Sequence, residues 1–188
     1  ESMKQMVNDF SEYARAPALR SAPFDLNQLV IEVADLYHAQ EPAIPVETVL
    51  DPQLIGFSAD RGRVRQVLNN LLTNALEALD GHRPAAIEVR TSIIDTGGVE
   101  RAQITVSDNG PGFPPELLGR VFDPYVTSKP KGTGLGLAIV KKIVDDHGGS
   151  IEVENRPEGG ARVRVMLPFN PDGREQAAGK RRSEVRRE

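Results

Sequence analysis

The chain has 188 residues, of which 39% are hydrophobic and 27% charged, with a formal net charge of −4, a composition typical of a globular protein. It lacks cysteine, which excludes disulfides and thiolate metal sites and fits a reducing compartment. The nearly balanced charge argues against a nucleic-acid binder, and with no run of eighteen apolar residues the sequence predicts neither a membrane span nor an export signal.

The first 16 residues place apolar side chains on alternating steps of three and four, which predicts a helix that packs along another helix. Pro17 ends this helix. Because so short a helix is marginal alone, we expect its partner helix upstream and expect the chain to be part of a longer protein. The apolar residues are Met3, Met6, Val7, Phe10, Tyr13 and Ala14.

The next segment predicts a second helix and two short strands. Asp25 is a suitable N-cap for a helix running to about residue 40, where Pro42 and Pro45 follow. Residues 46–50 alternate as a strand, and residues 55–59 predict another short one.

A third helix is predicted over residues 60–80, capped by Asp60 and ended by Gly81. At about 100° per residue, Asn70 and Asn74 fall together at one edge of its apolar face. Amide oxygens suit Mg²⁺, although asparagine pairs on helices are more often simply solvated. The apolar positions are Val64, Val67, Leu68, Leu71, Leu72, Ala75, Leu76 and Leu79.

The remaining body predicts a mixed α and β arrangement. Strands at 86–94 and 102–107 are joined through Gly97 and Gly98, a hairpin signal. A Gly/Pro-rich stretch over 108–136 has the length typical of functional loops. A helix over 135–147 and strands at 150–154 and 162–167 follow. We therefore expect an α+β fold with helices on one face of a sheet, and a disordered basic tail over residues 170–188.

Asp108 stands directly after a predicted strand, and Gly110 and Gly112 follow it. A carboxylate in this position can accept a hydrogen bond from an exocyclic amine, the group that distinguishes adenine from guanine. The same residues, Asp-Asn-Gly-Pro-Gly, also suit a simple turn.

A second glycine motif, Gly132-Thr133-Gly134-Leu135-Gly136-Leu137, leads into a predicted helix. Free backbone amides at a helix N-terminus bind phosphate groups. The spacing fits neither the dinucleotide fingerprint nor the P-loop. Lys129 and Lys131 precede the glycines and could reach such phosphates, although exposed lysines are usually only solvated.

These motifs, together with Phe122-Asp-Pro-Tyr125, occur in an order that resembles the ATP-binding catalytic domain of sensor histidine kinases, within the gyrase, Hsp90, histidine kinase and MutL superfamily. The resemblance runs over residues 24–169. Residues 1–16 are similar to the end of the second helix of the dimerisation hairpin in NtrY-type nitrogen-regulation kinases. The resemblance implies a two-layer α/β sandwich of the Bergerat type with a mixed sheet.

By the same resemblance, Asp108 would hold the adenine amine, and Asn74 with help from Asn70 would ligate Mg²⁺ and serve catalysis. Lys129 and Lys131 would lie in the ATP lid. The implied nucleotide-binding set is Asn70, Asn74, Asp108, Gly110, Gly112, Lys129, Lys131, Gly132, Thr133, Gly134, Leu135, Gly136 and Leu137. Phe122 and Tyr125 would be packing residues that anchor the lid.

The implied function is transfer of the γ-phosphate of Mg·ATP to a histidine on a dimerisation domain absent from this chain, for relay to a response regulator. The full-length protein would be a homodimer, and this chain its cytoplasmic portion, without a nucleic-acid partner. His38, His82 and His147 lie in no acceptor motif. Two alternatives remain open: an anti-sigma-type serine protein kinase, and a nucleotide-responsive interaction module without chemistry.

Three departures from the family pattern accompany the resemblance. Asn70 stands where hydrolytic relatives have a catalytic glutamate, which favours a kinase over an ATPase. Glu77 stands where many kinases have a basic residue. Ala161 stands where a threonine is common.

Overall fold

The computed structural model describes residue 11 and residues 18–38, 44–81, 84–129 and 132–169. The predictions for the tail over 170–188, for His82 and for Lys131 lie outside the described residues, as does the prediction for residues 1–16 apart from residue 11. Within the described ranges, no helix is long and apolar enough to cross a membrane. The elements in order are β1 (Ala22–Pro23), α1 (Leu26–His38), β2 (Val46–Val49), β3 (Ser58–Ala59), α2 (Arg61–Ala78), β4 (Ile87–Asp95), β5 (Glu100–Asp108), a 3₁₀ turn (Leu118–Arg120), α3 (Gly136–Asp146), β6 (Ser150–Asn155) and β7 (Ala161–Pro168).

Five strands form one mixed sheet in the order β2-β4-β5-β7-β6. Strand β2 pairs with β4 in parallel, and every other pairing in this sheet is antiparallel. The β4–β5 hairpin turns through Gly97 and Gly98, which adopt φ of 68° and 82°. This region of φ favours glycine, so the predicted hairpin and its turn residues are confirmed.

A second, two-stranded sheet pairs β1 with β3, a pairing that the sequence does not predict because two residues show no alternation. Phe24 donates its N–H to the carbonyl of Phe57 at 3.0 Å. Their rings meet edge to face, with centroids 5.3 Å apart. The chain that enters the domain is thereby attached to the segment that leads into α2.

The helices cover one face of the five-stranded sheet, as the apolar spacing predicts. The buried face of α2 consists of Val64, Val67, Leu68, Leu71, Leu72 and Ala75. These side chains meet inward-facing strand residues such as Val89 and Ile104, both fully buried. Burying one leucine of this kind contributes about 1.5–3 kcal/mol. The α+β fold with helices on one sheet face is therefore confirmed.

The opposite face of the sheet carries polar and charged side chains in cross-strand rows. One such row aligns Glu88, Ser107, Arg162 and Glu154. Arg164 and Arg162 donate to Glu154 at 2.6 and 2.9 Å, and the hydrogen bond from Arg164 is the main cause that lowers the pKa of the Glu154 carboxyl. A charged face of this kind needs no second layer of helices.

Asp60 joins three segments of the chain. Its carboxylate caps α2 by accepting the N–H of Arg63 at 3.1 Å, and it accepts the N–H of Arg20 from the entering chain, also at 3.1 Å. Burial opposes ionisation here, but these N–H groups hold the pKa of Asp60 below its usual value. The Asp60 N–H in turn donates to Nε2 of His147 at 3.2 Å, and the His147 Nδ1 atom lies 2.7 Å from the carbonyl of Ile143. His147 is therefore a structural residue that links the end of α3 to the start of α2.

Candidate functional site

A cavity of about 710 Å³ opens between α2, the ends of β5 and β7, the loop that follows β5 and the start of α3, a size typical of small-molecule sites. Most of the residues singled out from the sequence line it: Asn70, Asn74, Asp108, Gly112, Lys129, Gly132, Thr133, Gly134, Gly136 and Leu137. The structure does not bring Gly110 and Leu135 to the cavity wall. Gly110 lies against the carbonyl of Ala78, and Leu135 is fully buried in the core.

Asp108 ends β5 and is 6% exposed. Its Oδ1 atom accepts the N–H of Gly110 at 2.9 Å and that of Ala161 at 3.2 Å. None of the described residues donates to its Oδ2 atom. Because Asp108 lines the cavity, this oxygen offers an acceptor to a ligand that carries an N–H.

The turn between β6 and β7 holds the backbone of Asp108 from behind. Arg156 donates Nη1 to the Asp108 carbonyl at 3.0 Å. Gly160 packs so closely, at φ 90°, that a Cβ there would lie 1.9 Å from the same carbonyl oxygen. We call Arg156, Gly160 and Asn155 the Asp108 clamp. The two glycines at 159 and 160 predict a turn, but no sequence signal identifies what the turn contacts.

Asn155 completes the clamp by holding the loop that follows Asp108. Its Oδ1 atom accepts the N–H of Phe113 at 2.7 Å, and its Nδ2 atom donates to the Phe113 carbonyl at 2.8 Å. A Cβ at Gly112, which has φ of 76°, would lie 2.7 Å from the Asn155 Oδ1 atom. Glycine is therefore required at position 112 for Asn155 to reach the backbone.

Asn70 and Asn74 lie one turn apart on the wall formed by α2, as their spacing predicts. The Nδ2 atom of Asn70 is buried and has no hydrogen-bond partner among the described residues. Asn74 faces the first residue of α3, where a Cβ at Gly136 would lie 3.6 Å from its Nδ2 atom. The cavity wall therefore offers an unpaired amide donor and, one turn further along α2, the N-terminus of α3, a combination that fits a ligand with anionic oxygens.

The loop before α3 is closed by a backbone contact between Tyr125 and Gly134. Tyr125 donates its N–H to the Gly134 carbonyl at 2.9 Å. A Cβ on Gly134, at φ 68°, would lie 2.6 Å from the Tyr125 carbonyl carbon. The expectation that the Tyr125 ring packs inside the protein is wrong, because Tyr125 itself adopts φ of 65° and is 59% exposed. Its backbone, rather than its ring, holds the loop, whereas Phe122 is partly buried.

Lys129 extends from this loop to α2. Its Nζ atom lies 2.5 Å from the Glu77 carboxylate and 3.3 Å from the Asn74 carbonyl. The predicted cation is therefore at the cavity, beside the amide pair.

No group of three or more His, Asp or Glu side chains in the described part of the chain could hold a metal ion. A cation in this cavity would depend on the neutral amide oxygens of Asn70 and Asn74 and on oxygens of the ligand. Mg²⁺ commonly binds in this way, since it keeps few protein ligands and takes others from phosphates. The residues present thus fit Mg²⁺ bound together with a nucleotide.

Residues 59–171 match the model of the family described as histidine kinase-, DNA gyrase B-, and HSP90-like ATPase. The chain is 38% identical over 167 residues to the nitrogen regulation protein NtrY of Azorhizobium caulinodans, an alignment that covers 87% of this chain and 21% of the relative. The chain spans between 21% and 36% of the length of the curated relatives it matches.

Two solved structures are similar throughout most of the chain. Full-length ShkA in complex with AMPPNP superposes with a TM-score of 0.75 at 32% identity, over 89% of this chain and 36% of that one. The histidine kinase ThkA in complex with the response regulator protein TrrA gives a TM-score of 0.72 at 31% identity, over 92% of this chain and 48% of that one.

Proposed function

The chain belongs to the histidine kinase-, DNA gyrase B- and HSP90-like ATPase family, and we propose that it is the Mg·ATP-binding catalytic module of an NtrY-type two-component sensor kinase. The observation that carries the proposal is the cavity itself, in which an unpaired carboxylate oxygen of Asp108 stands on one wall and the amide pair of Asn70 and Asn74 on another. The similarity to NtrY and to the AMPPNP complex of ShkA supports it. The module corresponds to residues 24–169.

In this proposal the chain's own residues bind and orient the nucleotide. The Oδ2 atom of Asp108 accepts the adenine amine. The amides of the Gly132 to Gly136 segment, at the start of α3, donate to phosphate oxygens. The orphaned Nδ2 of Asn70 finds an acceptor there, and Asn74 presents its oxygen to the metal. A bound Mg²⁺ would neutralise phosphate charge.

The γ-phosphate acceptor is a histidine that this chain lacks, on a dimerisation hairpin that pairs two copies in the full-length protein. His147 does not serve, because both its ring nitrogens are engaged within the fold. The response regulator follows as the next partner, by similarity to the ThkA complex. The chain would then be the cytoplasmic portion of a membrane-anchored kinase.

Phosphotransfer measured with and without the hairpin tests this function. This chain is to be incubated with radiolabelled ATP, alone and together with the dimerisation hairpin of the same kinase. Acid-labile label should appear on the hairpin, whereas the isolated chain should carry almost none. Label on His38, His82 or His147 of the isolated chain at useful stoichiometry would contradict the proposal, as would rapid phosphate release without transfer.

Asn74→Ala is expected to weaken Mg·ATP binding about tenfold and to weaken metal-free ATP binding much less, because the lost oxygen acts through the ion. Calorimetric titration with Mg²⁺ and with EDTA measures the two affinities. Asn69→Ala is the matched control, since Asn69 lies on the same helix but its side chain meets the Tyr37 hydroxyl, 3.4 Å away. Equal losses with and without Mg²⁺ would mean that Asn74 only packs against α3.

A further inference from the structure

Glu77 lies one turn beyond Asn74 on α2, on the same cavity wall, and holds the ammonium of Lys129. The Lys129 Nζ atom lies 2.5 Å from the Glu77 Oε2 atom. It also donates to the backbone carbonyl of Asn74 at 3.3 Å. The Glu77–Lys129 ion pair therefore connects the loop to α2. It lies beside the side-chain amides of Asn70 and Asn74, which the proposed function assigns to phosphate and metal.

The backbone around Lys129 is fixed by local bonds that direct it toward α2. Its N–H donates to the Thr127 hydroxyl at 3.0 Å, and its carbonyl accepts the N–H of Gly132 at 3.1 Å. A side chain at Gly132 would collide with this turn, since its Cβ would lie 2.6 Å from the Thr127 Oγ1 atom. Lys129 thus starts from a defined position, while its ammonium remains partly exposed and able to change partner.

The charged side chains on the cavity wall determine what a phosphate group would meet there. Among the described residues that line the cavity, Glu77 and Asp108 are the acids and Lys129 is the cation. With Lys129 bound to Glu77, the described wall presents no unpaired positive side chain to a phosphate chain. Phosphate oxygens must therefore compete with the Glu77 carboxylate for the same ammonium.

We propose that Glu77 is a counter-charge that binds Lys129 at the phosphate end of the cavity, competes with nucleotide phosphates for its ammonium and is displaced by them. This inference rests on the proposed function. Glu77 would then set how much more tightly the chain binds ATP, with three phosphates, than AMP, with one. The side chains of the pair are 33% and 52% exposed, and ion pairs this exposed are weak enough to exchange partners.

Binding of AMP, ADP and ATP to the wild type and to Glu77→Gln, each measured by titration calorimetry, tests the proposal. Glu77→Gln should bind ATP more tightly, on the order of fivefold for a pair of this exposure, and should bind AMP with unchanged affinity. In a Lys129→Gln background the same substitution should give less than half of that gain in binding free energy. Asp80→Asn is the matched control, because it removes an exposed acid of the same helical end that does not line the cavity.

Three results would overturn the inference. An equal gain for AMP and ATP would show that Glu77 does not act on phosphates. An equal gain with and without Lys129 would show that Glu77 acts only through its own repulsion. No gain with ATP, in a protein that binds ATP normally, would remove the counter-charge role and leave the proposed function standing. Failure of the wild type to bind any adenine nucleotide would overturn both together.

Discussion

Replacing Asp108 with asparagine should weaken ATP and ADP binding by roughly ten- to a hundredfold while leaving the fold intact. Asparagine keeps an oxygen for the N–H groups of Gly110 and Ala161, but it places an amide donor where the carboxylate had its second oxygen. Two donors cannot bond to each other, so the adenine amine loses its acceptor. A hydrogen bond to a charged group contributes about 1.5–3 kcal/mol, which corresponds to that change in affinity. Titration calorimetry with ADP measures it directly.

Base selectivity provides the internal control for Asp108. The amide introduced by Asp108→Asn can donate to the guanine carbonyl, so the preference for ADP over GDP should shrink in this variant. Asp108→Ala should lose stability as well, since it removes the acceptor for both backbone amides. A folded asparagine variant with wild-type affinity and selectivity would show that Asp108 serves the loop and does not contact the base.

Gly160→Ala is expected to have the largest effect on stability and to weaken nucleotide binding as well. The methyl group would lie 1.9 Å from the Asp108 carbonyl oxygen, and the backbone φ of 90° is itself unfavourable for alanine. Strain and overlap together should cost about 3–5 kcal/mol, or on the order of 10 °C in Tm for a chain of this size. Because the residue that must move is Asp108, ADP affinity should fall by at least tenfold in the variant that remains folded. Calorimetric unfolding and ADP titration give the two numbers.

Substitution of the neighbouring Gly159 distinguishes the effect of steric overlap from that of backbone strain. Gly159 has φ of 100°, but a Cβ there would meet nothing within 4 Å. Gly159→Ala should therefore show only the conformational cost, about 1–2 kcal/mol, with normal nucleotide binding. If the two alanine variants lose ADP affinity equally, the clamp does not position Asp108.

The helical part of the site was predictable because it follows a repeating pattern. The apolar spacing and Asp60 define α2 from the sequence, and the same spacing places Asn70 and Asn74 side by side. Glycine spacing likewise marks the turn before α3, since the φ of 68° at Gly134 favours glycine.

The parts of the site that were not predictable depend on contacts between distant loops. Arg156 meets a carbonyl 48 residues away, and Lys129 meets a carboxylate 52 residues away. Neither contact produces a repeating pattern in the sequence, because each is made by a single side chain in a turn. The exposed ring of Tyr125 was misassigned for a related reason: its left-handed backbone is imposed by packing against Gly134, and composition alone favours a buried aromatic residue.

The hydrogen bonds of Asp60 connect the entering chain directly to α2. The Arg20 N–H of the entering chain is hydrogen-bonded to Asp60, the N-cap of the helix, and Asn70 and Asn74 lie about 15–21 Å further along the helix axis. A displacement of the chain at Arg20 therefore acts directly on the N-terminus of the helix that carries the amide-bearing wall of the cavity. The pKa of Asp60 is held below its usual value, so this carboxylate stays ionised and keeps accepting the N–H groups of Arg20 and Arg63 at any pH well above about 4.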